Sequence, residues 1–246
     1  ENLKNQIKSY ADEMACFIYE PLVQGAAGML MYDAQYLDEL MKFCRDQEIL
    51  MIQDEVFTGF GRTGKLFAAN YLSEKPDMMC FSKGLTGGTM PMGITTCSDE
   101  IFNAFLSEDK YKTLFHGHSF TANPLACTAA LASMELLLNE ETQQNIQRIS
   151  EQHSRFSEAL QRHSKVENVR QAGTILAWEI INDKQTSYFN EIGNIVYREF
   201  LKRGIIMRPL GNVMYLVPPY CITAEELDFI YRNILEVLSE LNAKLL

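Results

Sequence analysis

Apolar residues along this chain fall into two rhythms. Runs of strand length stand at residues 14–19, 49–53, 77–81 and 93–97, each too short for a helix. Glu20-Pro21 closes the first run, because proline resists continuation, and Gln24-Gly25-Ala26-Ala27-Gly28 reads as a loop. Between the first two runs Ala34, Leu37, Leu40, Met41 and Cys44 recur at helical spacing, with Asp33 placed to cap the helix. A glycine-rich connection and a short helix near 65–72 lead to the run at 77–81. Strand, helix and strand in alternation predict a parallel α/β sheet. The run at 93–97 begins only about ten residues later, too soon for a crossover helix, so it is expected to pair antiparallel. Ser98 is placed to cap a helix reaching Leu106, and Pro124 opens a long one, PLACTAALASMELLLN.

A polar helix is expected from Glu140-Glu141-Thr142 to about Ser164. The rhythm then shortens, predicting a strand at 174–181, a helix at 186–203 and two short strands at 205–208 and 213–217. Thr223-Ala224-Glu225-Glu226 is a capping box for a last helix with Leu227, Ile230, Ile234, Leu238 and Leu241 inward. A boundary near residue 140 divides the chain into 1–140 and 141–246. Residues 1–7 read as the middle of an amphipathic helix rather than a beginning, so the chain is expected to be the C-terminal part of something longer.

Composition narrows the functional classes. With 246 residues, 47% of them hydrophobic, the chain can bury one large core or two modest ones. A net charge of −10 disfavours nucleic acid, which needs clustered Lys and Arg. No run approaches a membrane span, and no signal peptide is expected. The six cysteines at 16, 44, 80, 97, 127 and 221 show neither metal spacing nor a disulfide framework. Buried thiols in a reducing cytosol, with no metal, are expected instead.

Gly59-Phe60-Gly61-Arg62-Thr63-Gly64 matches the dinucleotide fingerprint G-x-G-x-x-G. That pattern requires the first glycine to close a strand and an acid to end the next one. Here five residues, Asp54 to Thr58, intervene, and the next run ends in Ser82-Lys83. The nicotinamide reading is set aside. Asp54 follows one predicted strand and Lys83 follows the next, so both are expected at the sheet edge where open α/β folds bind ligands. An Asp there is by default a loop cap, and a Lys a solvated amine. Lys83 is however set in Phe-Ser-Lys-Gly-Leu-Thr-Gly-Gly, where small residues leave room around it. A lysine that attacks a carbonyl must be unprotonated, which a partly enclosed site favours. A pyridoxal cofactor needs such a lysine and an acid for its pyridinium nitrogen.

Taken together, Glu20-Pro21-Leu22-Val23-Gln24-Gly25, Asp54-Glu55-Val56 with the glycine loop, Ser82-Lys83-Gly84 and Asn123-Pro124-Leu125-Ala126 resemble the class III pyridoxal-phosphate aminotransferases. The resemblance covers essentially the whole chain. It implies the α/β fold type I of the aspartate aminotransferase superfamily, with 1–140 the C-terminal part of a cofactor-binding large domain and 141–246 an α+β small domain. It implies Lys83 as the Schiff-base lysine, Asp54 as partner of the ring nitrogen and Val56 against the ring face. It further implies a cytoplasmic homodimer with shared active sites, in which His118 and Ser119 reach the neighbouring subunit's cofactor phosphate and Gly117 lies along the substrate. His116 is left a plain loop residue.

Three stretches, His116 to Cys127, Arg208-Pro209-Leu210-Gly211 with Tyr215 to Tyr220, and Lys83 to Thr89, resemble more narrowly the diaminopelargonate aminotransferases of biotin synthesis. There the arginine matching Arg208 binds the substrate carboxylate, a task suited to its planar fork; the plain alternative is a strand-end surface residue. Ornithine and 4-aminobutyrate aminotransferases carry a glutamate where this chain has Ala26. Two departures are Ala122, where many relatives have glycine, and His118, where some have proline.

The implied reaction converts 8-amino-7-oxononanoate to 7,8-diaminononanoate with S-adenosylmethionine, or in some relatives lysine, as amino donor. The rival expectations are another ω-aminotransferase of the class, a non-catalytic remnant of the fold, and the dehydrogenase suggested by the glycine loop. Relatives carry upstream the Gly-Ser turn that cups the phosphate and the aromatic that stacks on the ring. Alone, this chain is therefore expected to bind the cofactor weakly and to be inactive.

Overall fold

The computed structural model describes residues 1–182, 186–187 and 189–241. In chain order its elements are α1 (Asn2–Tyr10), β1 (Cys16–Tyr19), β2 (Val23–Gln24), β3 (Leu30–Met31), α2 (Ala34–Asp46), β4 (Leu50–Asp54), β5 (Met78–Phe81), β6 (Ile94–Cys97), α3 (Asp99–Phe105), α4 (Pro124–Leu138), α5 (Glu140–Gln161), β7 (Val166–Ala172), β8 (Ile175–Ile180), α6 (Ile192–Lys202), β9 (Val213–Leu216) and α7 (Ala224–Glu240). Two compact units emerge. One holds Glu1–Leu22, Tyr32–Phe60 and Leu66–Leu138; the other holds Val23–Met31, Gly61–Lys65 and the chain from Asn139 onward. Two short segments from before the expected boundary near 140 thus group with the residues that follow it.

The first unit is built on a sheet ordered β1-β4-β5-β6. β1, β4 and β5 run parallel, and β6 returns antiparallel to β5, as the short connection before it requires. Leu37, Met41 and Cys44 line one stripe of α2 and pack with Ile7, Tyr19 and Met51. Asp33 stands at the α2 N-cap position without a side-chain capping bond. Ser98 does cap α3, accepting from the Ile101 N–H at 3.4 Å. Expected as a helix, 65–72 contains only a 3₁₀ turn, Ala68–Tyr71.

The cysteines correct an expectation. Only Cys44 is buried, while Cys16, Cys97 and Cys221 are exposed and all six are free. Cys16 and Cys97 sit on β1 and β6, the outermost strands of this sheet, and all four residues of β6 are exposed. An apolar run is therefore no proof of burial when its strand is at an edge.

The second unit has an antiparallel sheet ordered β7-β8-β9. Every residue of the central strand β8 is buried, and Trp178, Ile180, Phe200, Leu227 and Ile234 share its core. Each such side chain contributes roughly 1.5–3 kcal/mol on burial. The capping box opens α7: Thr223 Oγ1 accepts from the Glu226 N–H at 3.1 Å, and Glu226 Oε2 accepts from the Thr223 N–H at 2.9 Å. At the other end Lys165 Nζ donates to the carbonyls of Leu238, Ser239 and Leu241, the favourable place for a cation on a helix.

One strand here was not expected, and one expected strand is absent. Val-Glu-Asn-Val-Arg-Gln-Ala forms β7, although its polarity hides it, because a bulge between Glu167 and Arg170 breaks the alternation. Conversely 205–208 alternates, with Ile205 and Met207 buried and Ile206 and Arg208 exposed, yet it belongs to no named strand. Alternation without a hydrogen-bonded neighbour does not make a strand. The helix expected from 186 starts at Ile192, and residues 183–185 and 188 lie outside the described residues.

His153 gives this unit a pH response. It is fully buried, with Nε2 3.2 Å from the Thr174 carbonyl and Nδ1 2.7 Å from the Tyr231 hydroxyl. A carbonyl only accepts, so Nε2 carries the proton and Nδ1 accepts from Tyr231. Burial pushes the imidazole down to about 4, partly opposed by the Thr174 hydrogen bond. The unfolded chain then binds the extra proton first, so stability present above pH 6.5 is lost as pH falls from 6.5 to about 4. Over that window the loss should approach roughly 3 kcal/mol. Chemical denaturation as a function of pH should show this slope, and His153→Gln should flatten it.

Candidate functional site

Asp54 is the last residue of β4, and Lys83 stands two residues beyond β5. The two strands are parallel neighbours, with Asp54 in register with Cys80. Both groups are thereby brought to the C-terminal edge of the sheet, where such folds place ligands. Asp54 is half-buried, and its Oδ1 accepts from the Val56 N–H at 2.9 Å. No second hydrogen bond reaches this carboxylate among the described residues, so one oxygen is left for a ligand donor.

Lys83 is exposed rather than partly enclosed. Its backbone takes φ of 42°, a left-handed conformation costly for a side chain of this size and typical of constrained functional positions. The strain is held by a 3₁₀ turn, Lys83–Thr86, and by the Gly88 N–H donating to the Lys83 carbonyl at 3.0 Å. Its Nζ lies 5.5 Å from the centroid of the Phe57 ring, within cation–π range. Gly84 supplies the clearance beside it. A Cβ there would meet the Phe60 side chain at 2.8–3.0 Å, and Phe60 is itself fixed against Phe67 and Phe81.

Two residues to which the motifs assign no role complete this turn. One is Phe57. The other is Glu55, fully buried beside half-buried Asp54. An acid pair offers no sequence signal for which member faces inward; the alternation along β4, with Met51 and Gln53 buried, could have found it.

The remaining predicted residues fall elsewhere. His116 and His118 line a groove of about 1240 Å³ in the first unit, together with Ser82, Phe102 and Asn123. Gly117, His118 and Ser119 are exposed, and the His118 ring accepts from the Phe120 N–H at 3.1 Å through Nδ1. Arg208, in the second unit, is exposed and has no ion pair or hydrogen bond among the described residues. Gly61 and Gly64 have φ of 92° and 96°. They shape a loop that leads to no helix, so the dinucleotide geometry is absent from this loop. Among the described residues no cluster of three or more His, Cys, Asp or Glu could hold a metal ion, and no helix is long and apolar enough to cross a membrane.

The profile of the family described as aminotransferase class-III matches residues 1–238. The chain is 45% identical over 231 residues to adenosylmethionine-8-amino-7-oxononanoate aminotransferase of Synechococcus elongatus, covering 94% of this chain and 54% of that protein. The enzyme of the same description from Methanocaldococcus jannaschii is 39% identical over 243 residues, covering 95% and 53%. The chain thus spans about half the length of the curated relatives it matches. The crystal structure of the M. jannaschii protein superposes with a TM-score of 0.91 at 38% identity, covering 98% of this chain and 57% of that one. An (S)-enantioselective omega-transaminase from Thermomicrobium roseum gives 0.88 at 32% identity, covering 97% and 54%.

Proposed function

The chain belongs to the class-III aminotransferase family, whose members depend on pyridoxal 5′-phosphate, and from that premise we propose that Lys83 and Asp54 hold this cofactor in a biotin-pathway enzyme. The reaction is transfer of an amino group from S-adenosylmethionine to 8-amino-7-oxononanoate, giving 7,8-diaminononanoate. A cytoplasmic homodimer with shared active sites completes the reading, with 1–140 in the large domain and 141–246 forming the small one. The observation that carries it is the pairing of a strained, accessible lysine and a carboxylate with one uncommitted oxygen on adjacent parallel strand ends.

That donor set fits the cofactor. Asp54 would offer its free oxygen to the ring N–H, Val56 would lie against the ring, and Lys83 would meet the aldehyde. His118 and Ser119 would serve the phosphate of a neighbouring subunit's cofactor, and Gly117 would lie along the substrate. When bound, pyridoxal phosphate supplies an aldehyde for amines and a ring that accepts an electron pair. The chain's own work is positioning and proton transfer. Asp54 would keep the ring nitrogen protonated, Lys83 Nζ, as a free amine, would be the base that takes the donor's α-proton, and Arg208 would pair with a substrate carboxylate through its planar fork. Arg208 has no competing partner among the described residues, which leaves the fork available.

A second reading within the class, another ω-aminotransferase, is favoured by the likeness to the T. roseum enzyme. The full-length protein assayed with 8-amino-7-oxononanoate and a panel of S-adenosylmethionine, lysine and glutamate separates them. Diamine formed with S-adenosylmethionine alone is the expected result. Turnover with glutamate and none with the oxononanoate would overturn the biotin assignment.

A further inference from the structure

The first unit contains a buried carboxylate that the mechanism above does not use. Glu55 is fully buried, and among the described residues four donors converge on it. Oε1 accepts from Gln53 Nε2 at 2.8 Å and from the Ala69 N–H at 2.8 Å, while Oε2 accepts from Thr58 Oγ1 at 2.7 Å and from the Ala68 N–H at 3.1 Å. None of these donors carries a charge, and Glu55 has no cationic partner among the described residues. A buried charge without a counter-ion is costly. A fold needing only bulk here would be served by a neutral side chain.

The placement of those bonds shows what the charge secures. Gln53 precedes Asp54, and Thr58 follows Phe57, so one carboxylate grips the chain on both sides of Asp54, Val56 and Phe57. The main chain of Glu55 joins in: its N–H donates to the Cys80 carbonyl at 2.9 Å, on the strand leading to Lys83, and its carbonyl accepts from the Gly59 N–H at 3.0 Å. Gly59 has no room for a side chain, since a Cβ would lie 2.8 Å from that carbonyl. Beyond Gln53 the network continues to the Tyr19 hydroxyl, which donates to Gln53 Oε1 at 3.0 Å. The gripped turn carries the Asp54 carboxylate, oriented by the Val56 N–H, and the Phe57 ring beside Lys83 Nζ.

We propose that Glu55 is a positioning residue, whose doubly loaded carboxylate fixes the turn so that Asp54, Val56 and Phe57 are held in place for the cofactor before it arrives. This rests on the reading that Asp54 and Lys83 bind pyridoxal phosphate. A carboxylate is required because each oxygen serves two donors; a glutamine would turn an N–H₂ toward one pair and leave those donors unmet.

The test is Glu55→Gln in the full-length protein, titrated with pyridoxal phosphate by absorbance, with the pH midpoint of the bound cofactor's visible band and the melting temperature followed in parallel. The expected result is an affinity weaker by about tenfold or more, as for loss of an outer-shell partner, and a displaced midpoint while the protein is still folded. A lower melting temperature with affinity and midpoint unchanged would overturn the proposal, because a purely structural role moves only the first. Thr58→Val, which removes one donor and keeps the charge, is expected to weaken affinity in the same direction. Should Glu55→Gln not fold, an unchanged affinity in Thr58→Val decides against the proposal. If the wild-type protein takes up no cofactor, or Lys83→Ala keeps the visible band, the underlying reading falls as well; an intact wild-type band with indifferent Glu55 and Thr58 variants sinks the positioning role alone.

Discussion

Lys83→Ala should lower transamination by about four orders of magnitude or more, as removal of a reacting side chain does. The visible absorption of bound cofactor should vanish with it. The substitution changes little else. Lys83 is exposed, its carbonyl bond to the Gly88 N–H involves only main chain, and its φ of 42° is as awkward for alanine as for lysine. Folding stability should therefore move by no more than about 0.5 kcal/mol, the usual range for surface changes. A large catalytic loss on an unchanged unfolding curve assigns the loss to chemistry. The full-length variant, assayed by product formation and by its spectrum, provides both readings. Retention of the visible band would show that a different amine holds the cofactor.

That lysine was legible in the sequence because its surroundings are local. A strand-length run ending in Ser-Lys-Gly, preceded by another ending in Asp, already places both groups at one sheet edge, and β4 and β5 are parallel as the alternation requires. The antiparallel return of β6 was legible for a similar reason, the shortness of its connection. Features settled by distant partners were not. β7 is polar in sequence because Arg170 pairs with Glu179 at 2.9 Å and donates to the carbonyls of Gly28 and Met29, residues some 140 positions earlier in the chain. Nothing near Arg170 announces that contact. Residues 205–208 fail in the opposite sense, since an alternating pattern says nothing about whether a strand lies alongside. Glu55 was hidden by its neighbour: two adjacent acids look alike until the pleat turns one inward and four donors reach it.

The glycine loop resembles a nucleotide fingerprint in sequence only, and the constraint it meets in the fold yields the other large prediction. Gly173→Ala should cost roughly 3–5 kcal/mol, the exceptional range reserved for a named structural conflict. Gly173 stands in the turn between β7 and β8 with φ of 56°, and an added Cβ would lie 2.1 Å from the Thr63 carbonyl carbon and 2.3 Å from the Gly64 nitrogen. Both neighbours are main-chain atoms, so no side-chain rotation relieves the clash. The segment is also fastened on each side. Thr174 donates through N–H and Oγ1 to the Arg62 carbonyl at 3.0 and 3.1 Å, and the Arg62 guanidinium donates to the Pro218 carbonyl at 2.7 Å while lying 4.8 Å from the Tyr220 ring centroid. Alanine must therefore either eject the Gly61–Lys65 segment or distort the turn. Gly204→Ala supplies the control, because Gly204 also has positive φ, 74°, but nothing lies within 4 Å of its added Cβ. Its cost should be the conformational part alone, about 1 kcal/mol. Denaturant unfolding of the two variants isolates the steric contribution as their difference, and tryptic cleavage at Arg62 or Lys65 in Gly173→Ala would report the ejected segment. Equal costs for the two alanines would mean that the close approach of Thr63 and Gly64 to Gly173 does not constrain this fold.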